Sequence, residues 1–92
     1  PKRLGVKQQW MDRVEFSGVI ANGRCHRGKK GRWVTFLTLG VDYGEYIDVV
    51  IQKPFAYRDG DIVHGSGRVK HSNNSDYIDS NDVKSYTFAE WR

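Results

Sequence analysis

Asn22-Gly-Arg-Cys-His-Arg-Gly-Lys-Lys-Gly-Arg32 runs straight into Trp33-Val-Thr-Phe-Leu-Thr-Leu-Gly-Val41, and a short break later comes Tyr46-Ile-Asp-Val-Val-Ile-Gln52. The first segment is almost entirely glycine and positive charge and reads as a loop. The other two alternate and read as half-buried strands. Trp33, Thr35, Leu37, Leu39 and Val41 share one face, and Ile47, Val49 and Ile51 share the matching face of the next strand; these sets read as core. Phe36 and Tyr46 then point outward from strands expected to be neighbours. A cationic loop beside an aromatic sheet face has the makings of a groove for single-stranded nucleic acid. Charges track phosphates, and rings stack on unpaired bases.

Upstream of this stretch, Arg13 to Ala21 alternates. Val14, Phe16, Gly18 and Ile20 lie on one side, with Glu15, Ser17 and Val19 on the other, which predicts a strand ended by a turn at Asn22-Gly23. Residues 1–10 are basic and short of apolar side chains, and read as a loose N-terminal arm ahead of a domain at 11–92. Lys2, Arg3 and Lys7 in it are further candidate phosphate contacts. Trp10 is either a cap on the domain or an exposed stacking ring.

Downstream, Asp42-Tyr43-Gly44 is a turn. Lys53 to Asp59 contains Pro54 and is too short for a helix beyond a single turn, with Phe55 and Tyr57 expected to plug one end of the core. Asp61 to Lys70 is a fourth strand, with Val63 and Val69 inward and Ile62, His64, Ser66 and Arg68 outward. Its glycines, Gly65 and Gly67, imply curvature or close backbone approach. His71 to Asp76 is a hairpin loop. Asp82 to Phe88 is a fifth strand, or the second half of a long bent one. Five strands with little or no helix predict a small all-β barrel, which leaves few open edges in a short chain.

With 92 residues, 38% hydrophobic and 13% aromatic, the chain is long enough for one modest core. The net charge of +4 favours a polyanionic partner. Its distribution says more: residues 22–32 hold five Lys/Arg and no acid, whereas 41–48 and 72–82 are acidic. The single cysteine, Cys25, excludes an internal disulfide and is consistent with a reducing, cytoplasmic setting. No apolar run is long enough for a membrane span. Cys25-His26 offers no metal-ligand spacing, since His64 and His71 are remote in sequence. Asp76, Asp79 and Asp82 lack the glycine and terminal glutamate of a calcium loop. Gly28-Lys-Lys30 is no nucleotide-binding loop, because no Ser/Thr follows the lysine and no helix follows. No acid, base or nucleophile constellation emerges. The chain therefore reads as a non-catalytic binder without cofactor or metal.

The order of motifs resembles the bacterial and phage single-stranded DNA-binding protein family and its oligonucleotide-binding (OB) fold. Met11-Asp-Arg-Val14 followed by Gly18 is similar to that family's opening strand, and Thr38-Leu39-Gly40 to the end of its second. Glu45-Tyr-Ile-Asp-Val-Val-Ile51 is similar to its third strand. Gly60-Asp-Ile-Val63 with Gly67-Arg-Val69 resembles its fourth, and Tyr77 sits where its fifth begins. The resemblance covers residues 11–88 and extends to primosomal replication protein B and to phage and plasmid binders. It implies that Tyr46 is a stacking aromatic and that Tyr43 lies near another. Three features depart from the family. No helix fits between the third and fourth strands, Gly65 replaces a bulky residue, and the sequence stops at Glu90-Trp-Arg92 without the acidic, Phe-ending tail that recruits partners. That recruiting function is expected to be absent or removed.

The combined expectation is low-specificity binding of single-stranded DNA, in replication or recombination, by a homodimer. Arg24, Arg27, Lys29, Lys30, Arg32, Arg68 and Lys70 would meet phosphates, and Trp33, Phe36, Tyr43, Tyr46 and Tyr77 would meet bases. A protein-docking module of a replication assembly and a single-stranded RNA binder are the alternatives.

Overall fold

The alternation that begins at Arg13 does not stop at Asn22. In the computed structural model, which describes residues 3–92, one strand runs on to Arg27. The strands are β1 (Gly5–Trp10), β2 (Arg13–Arg27), β3 (Trp33–Gly40), β4 (Tyr46–Ile51), β5 (Ile62–His71) and β6 (Asp76–Tyr86), followed by a short helix α1 (Phe88–Trp91). They form one sheet ordered β1-β2-β3-β4-β6-β5, and β2 also pairs with β5, which closes β2 to β6 into a five-stranded barrel. All these pairings are antiparallel except β4 with β6. This is the strand order of a small OB-fold barrel, with β1 added outside it.

The core is largely the inward set predicted by alternation, with two corrections: Trp33, counted inward, is 46% exposed near the end of the hairpin, and Ser17, counted outward, is buried, its hydroxyl donating to the Arg3 carbonyl just ahead of β1. Val14, Phe16 and Ile20 of β2 meet Leu37 and Leu39 of β3, Val49 and Ile51 of β4, Val63 of β5 and Ile78 of β6, each at most 5% exposed. Phe55 and Tyr57 pack against this cluster as expected. Thr35 is fully buried among apolar neighbours because its hydroxyl is fully used. It donates to the Lys53 carbonyl at 2.8 Å and accepts from the Phe55 amide at 3.1 Å, tying the β4–β5 connection to the barrel. Gly65 and Gly67 are places of close approach: a side chain there would run into the backbone oxygens of Asp82 and Asp79 on β6.

Three further local expectations are corrected. First, residues 5–10 are not a loose arm but the strand β1. Since β3 ends at Gly40, the edge of β2 from Arg13 to Ser17 is left open, and β1 fills it with Gly5 opposite Ser17 and Gln8 opposite Val14. The Leu4 carbonyl also accepts from the Asp42 amide at 3.0 Å. Pro1 and Lys2, the latter a candidate phosphate contact, lie outside the described residues.

Second, Asn22-Gly23 is not a turn. The register shifts there, between Ile20 and Asn22, and pairing resumes from Asn22 opposite Thr38 to Arg27 opposite Trp33. The loop shrinks to residues 28–32, closed by Gly28 N–H to the Arg32 carbonyl at 2.7 Å.

Third, Ile62 is outward by parity yet fully buried. The Trp91 ring covers this side, 5.4 Å from His64 and 5.7 Å from Tyr86, the residue paired with Ile62.

Of the two alternatives for the last strand, the long bent one is found: β6 runs from Asp76 to Tyr86, with a register shift opposite Ser66 and Arg68. The helix after it carries a capping box. The Thr87 hydroxyl accepts from the Glu90 amide, and the Glu90 carboxylate accepts from the Thr87 amide. Among the described residues, no helix is long and apolar enough to cross a membrane.

Candidate nucleic-acid interface

The β2–β3 hairpin extends past the barrel end, so its side chains divide between two faces. Arg24 and His26 of β2 share the outer face with Val34, Phe36 and Thr38 of β3. The outer face continues through Asp48, Val50 and Gln52 at the β4 edge and Tyr77 of β6. Together they line an open groove of about 720 Å³. Gly28 at the hairpin tip closes one flank, and Ser72 and Ser75 of the β5–β6 loop close another. A sheet face bordered by the first and last hairpins is where OB folds take oligonucleotides.

Phe36 is the centre of this groove. The Arg24 guanidinium carbon stands 5.0 Å from its ring centroid, and the His26 ring meets it edge-on at 4.8 Å. The Phe36 ring is half-buried between them. An exposed cation–π contact of this kind is worth about 0.5–1 kcal/mol, little enough for a nucleotide to rearrange it. On the β4 side, the Asp48 carboxylate accepts from the Thr38 hydroxyl at 3.2 Å, and Gln52 donates to Asp79 at 3.2 Å. The groove therefore carries the Arg24 cation on its β2 wall and the Asp48 carboxylate on its β4 wall, with Asp79 of β6 joined to it through Gln52.

Tyr77 is half-buried in the groove, and Lys70, its partner across β5 and β6, is exposed beside it. Lys29, Lys30 and Arg32 are exposed at the hairpin tip. Arg27 and Trp33 pair with each other, guanidinium 5.9 Å from ring, but by parity with Thr35 they occupy the opposite face of the hairpin from Phe36. Tyr46 is on the groove face yet displaced. It pairs with Gly40, whereas Phe36 pairs with Val50, which separates the two rings by four residues, about 13 Å along the strands.

Tyr43 is 85% exposed beyond the end of β3, with its hydroxyl accepting from Arg3 at 2.9 Å. It borders a second depression of about 700 Å³, lined also by Lys7 of β1 and Trp91 of α1. Arg68 is drawn away to an ion pair with Asp12 at 3.6 Å.

Of the residues singled out in sequence, Arg24, Phe36 and Tyr77 meet in one groove, with Lys70 at its margin. Lys29, Lys30 and Arg32 are exposed at the hairpin tip, outside the lining. Tyr46 shares the face but is displaced along it, and Arg27, Trp33, Tyr43 and Arg68 lie elsewhere. His26, Asp48 and Gln52 were missed. Reading the hairpin as continuing to Arg27 would have put His26 two residues from Arg24 on one face. No protein-family model and no curated protein matches the chain.

Proposed function

We propose that this chain is a non-catalytic binder of single-stranded DNA whose ligand lies along the groove centred on Phe36. The observation that carries the reading is the juxtaposition of a half-buried aromatic ring, a cationic strand beside it and a lysine-rich hairpin tip on the ligand face of an OB barrel. Phosphates run along Arg24, His26 and the 28–32 loop. A base stacks on Phe36 once Arg24 exchanges its ring contact for a phosphate. Stacking and phosphate contacts tolerate most sequences, which suits a protein that protects or presents single strands in replication or recombination.

Homodimerisation belongs to the same proposal. Among the described residues β1 pairs only with β2, leaving its outer edge open, and Val6 and Trp10 on it are 47% and 61% exposed. Such an edge accepts a second strand. Sedimentation showing a monomer at tens of micromolar would remove the dimer from the account.

The binding test is a titration of intrinsic Trp/Tyr fluorescence with poly-dT at two salt concentrations. Quenching whose affinity falls as salt rises supports the proposal. No binding at low salt overturns it and leaves the protein-docking module as the leading account. Preference for poly-rU over poly-dT would move the substrate to RNA.

A further inference from the structure

The groove is polarised across its width. Its β2 wall carries Arg24 and His26, while its β4 side carries Asp48 and Gln52, with Asp79 of β6 joined to the lining only through Gln52. Among the described residues Asp48 stands in no ion pair, whereas Asp79 lies opposite Arg68 across β5 and β6, so the uncompensated negative charge on this side is that of Asp48. A phosphate is repelled from this side and attracted to the other. A strand bound through Arg24 must therefore direct its bases toward β4. Those bases arrive at the Asp48 carboxylate, which when ionised can only accept. One Asp48 oxygen takes the Thr38 hydroxyl, leaving the second open to the groove. Gln52 uses one of its two amide N–H groups on Asp79 and keeps the other, beside a carbonyl oxygen that accepts.

Resting on the single-strand reading above, we propose that Asp48 reads base edges and gives the groove a preference for bases with an exocyclic amine. Asp48 lies opposite Thr38, one outward position along from the Phe36–Val50 pair. A base stacked on Phe36 therefore has its edge within reach of the carboxylate. The amine of cytosine donates to a carboxylate, as do those of adenine and guanine. Uracil and thymine present carbonyl oxygens at the same place. Their one ring N–H lies between two carbonyls that repel the carboxylate's second oxygen. Guanine also offers an amine, and its adjacent ring N–H reaches the first oxygen only where it shares that oxygen with the Thr38 hydroxyl. Phosphate contacts fix the strand's position and orientation, and this contact adds the sequence information.

Cytosine and uracil differ at the edge in question and little elsewhere, so they make the cleanest pair. Oligo(dC) and oligo(dU) of about ten nucleotides, within the span of one OB fold, are titrated at neutral pH into the wild-type protein and Asp48→Asn. The variant keeps size and the Thr38 contact but replaces an acceptor oxygen by an N–H donor. Wild type is expected to favour oligo(dC) by about fivefold or more. Asp48→Asn is expected to bring the ratio near one by losing cytosine affinity while gaining uracil affinity. A carboxylate that merely repels phosphates predicts that both affinities rise together in Asp48→Asn with the ratio unchanged, which overturns the proposal. Equal wild-type affinities also overturn it and leave the binding function standing. No binding of either oligonucleotide removes both readings.

Discussion

The Arg24 guanidinium of β2 lies over the Phe36 ring of β3, 5.0 Å from its centroid, and the two residues are direct cross-strand partners. One position thus holds both parts that the proposed site requires, a charge for a phosphate and a ring for a base. Their contributions are separable because only the charge releases counterions.

Phe36→Ala is expected to weaken single-strand binding by about 1–3 kcal/mol, roughly 5- to 150-fold, with the salt dependence unchanged. Arg24→Ala is expected to reduce the log–log salt slope by about 0.7. Lys29→Ala with Lys30→Ala should lower the slope by at most about twice that. Titrations at several salt concentrations read both quantities. A Phe36→Ala protein with wild-type affinity would exclude the ring from the site.

The offset between Phe36 and Tyr46 makes the role of Tyr46 dependent on ligand length. The rings are about 13 Å apart along the strands, too far for one base to touch both. Tyr46→Ala is expected to leave binding of a two- or three-nucleotide ligand intact and to weaken that of a ten-nucleotide one. Affinity measured against oligonucleotide length tests this, and an equal loss at all lengths would contradict the offset.

The barrel has its own weak point at Gly67, where a methyl group would run into the Asp79 carbonyl of β6. Gly67→Ala is expected to cost about 1–3 kcal/mol as an overpacked site, lowering the melting temperature by about 4–8 °C for each of those kcal/mol. Thermal melts by circular dichroism give the shift. An unchanged melting temperature would mean that β5 and β6 are not so closely apposed.

Acid should loosen the C-terminal helix. The Glu90 carboxyl is held below its ordinary pKa, first by the Thr87 backbone N–H and then by the Thr87 side chain. A carboxylate of lowered pKa contributes its full stabilisation above the unfolded value, about 4.3 for Glu, and loses it as pH falls through the folded value. Trp91, buried on this helix, reports the loss. With Trp10 and Trp33 replaced by Phe, its fluorescence is expected to change on descending through that range. Glu90→Gln, which keeps a capping-box partner, is expected to abolish that part of the change. Persistence of the full transition in Glu90→Gln would assign it to another group.

The barrel was legible because its strands are buried on one face only. Val14/Phe16/Ile20, Leu37/Leu39 and Val49/Ile51 are buried while Glu15, Val19, Thr38 and Val50 beside them are not, and Ser17 alone of the outward set in these strands is buried as well. β1 was not legible because Val6 to Trp10 is exposed throughout, so no period marks it. The outer half of β2 was hidden for the same reason: beyond Gly23 the hairpin leaves the core, and Arg24 to Arg27 are exposed. Ile62 misled because its cover, Trp91, arrives from the far end of the chain. For the site, parity placed Phe36 and Tyr46 outward. Their spacing depends on register, which the Asp42–Gly44 turn sets and alternation does not. Trp33 shares parity with Thr35, so its place off the groove face was available from the sequence.

The most direct test of the site is an amide NMR titration of the labelled protein with an unlabelled single-stranded oligonucleotide of about ten nucleotides, within one OB-fold span. The account predicts the largest shifts at Arg24, His26, Phe36, Thr38, Asp48, Tyr77 and the 72–75 loop, with the 28–32 loop following. Shifts confined to the depression around Tyr43, Lys7 and Trp91, or no shifts at low salt, would contradict it.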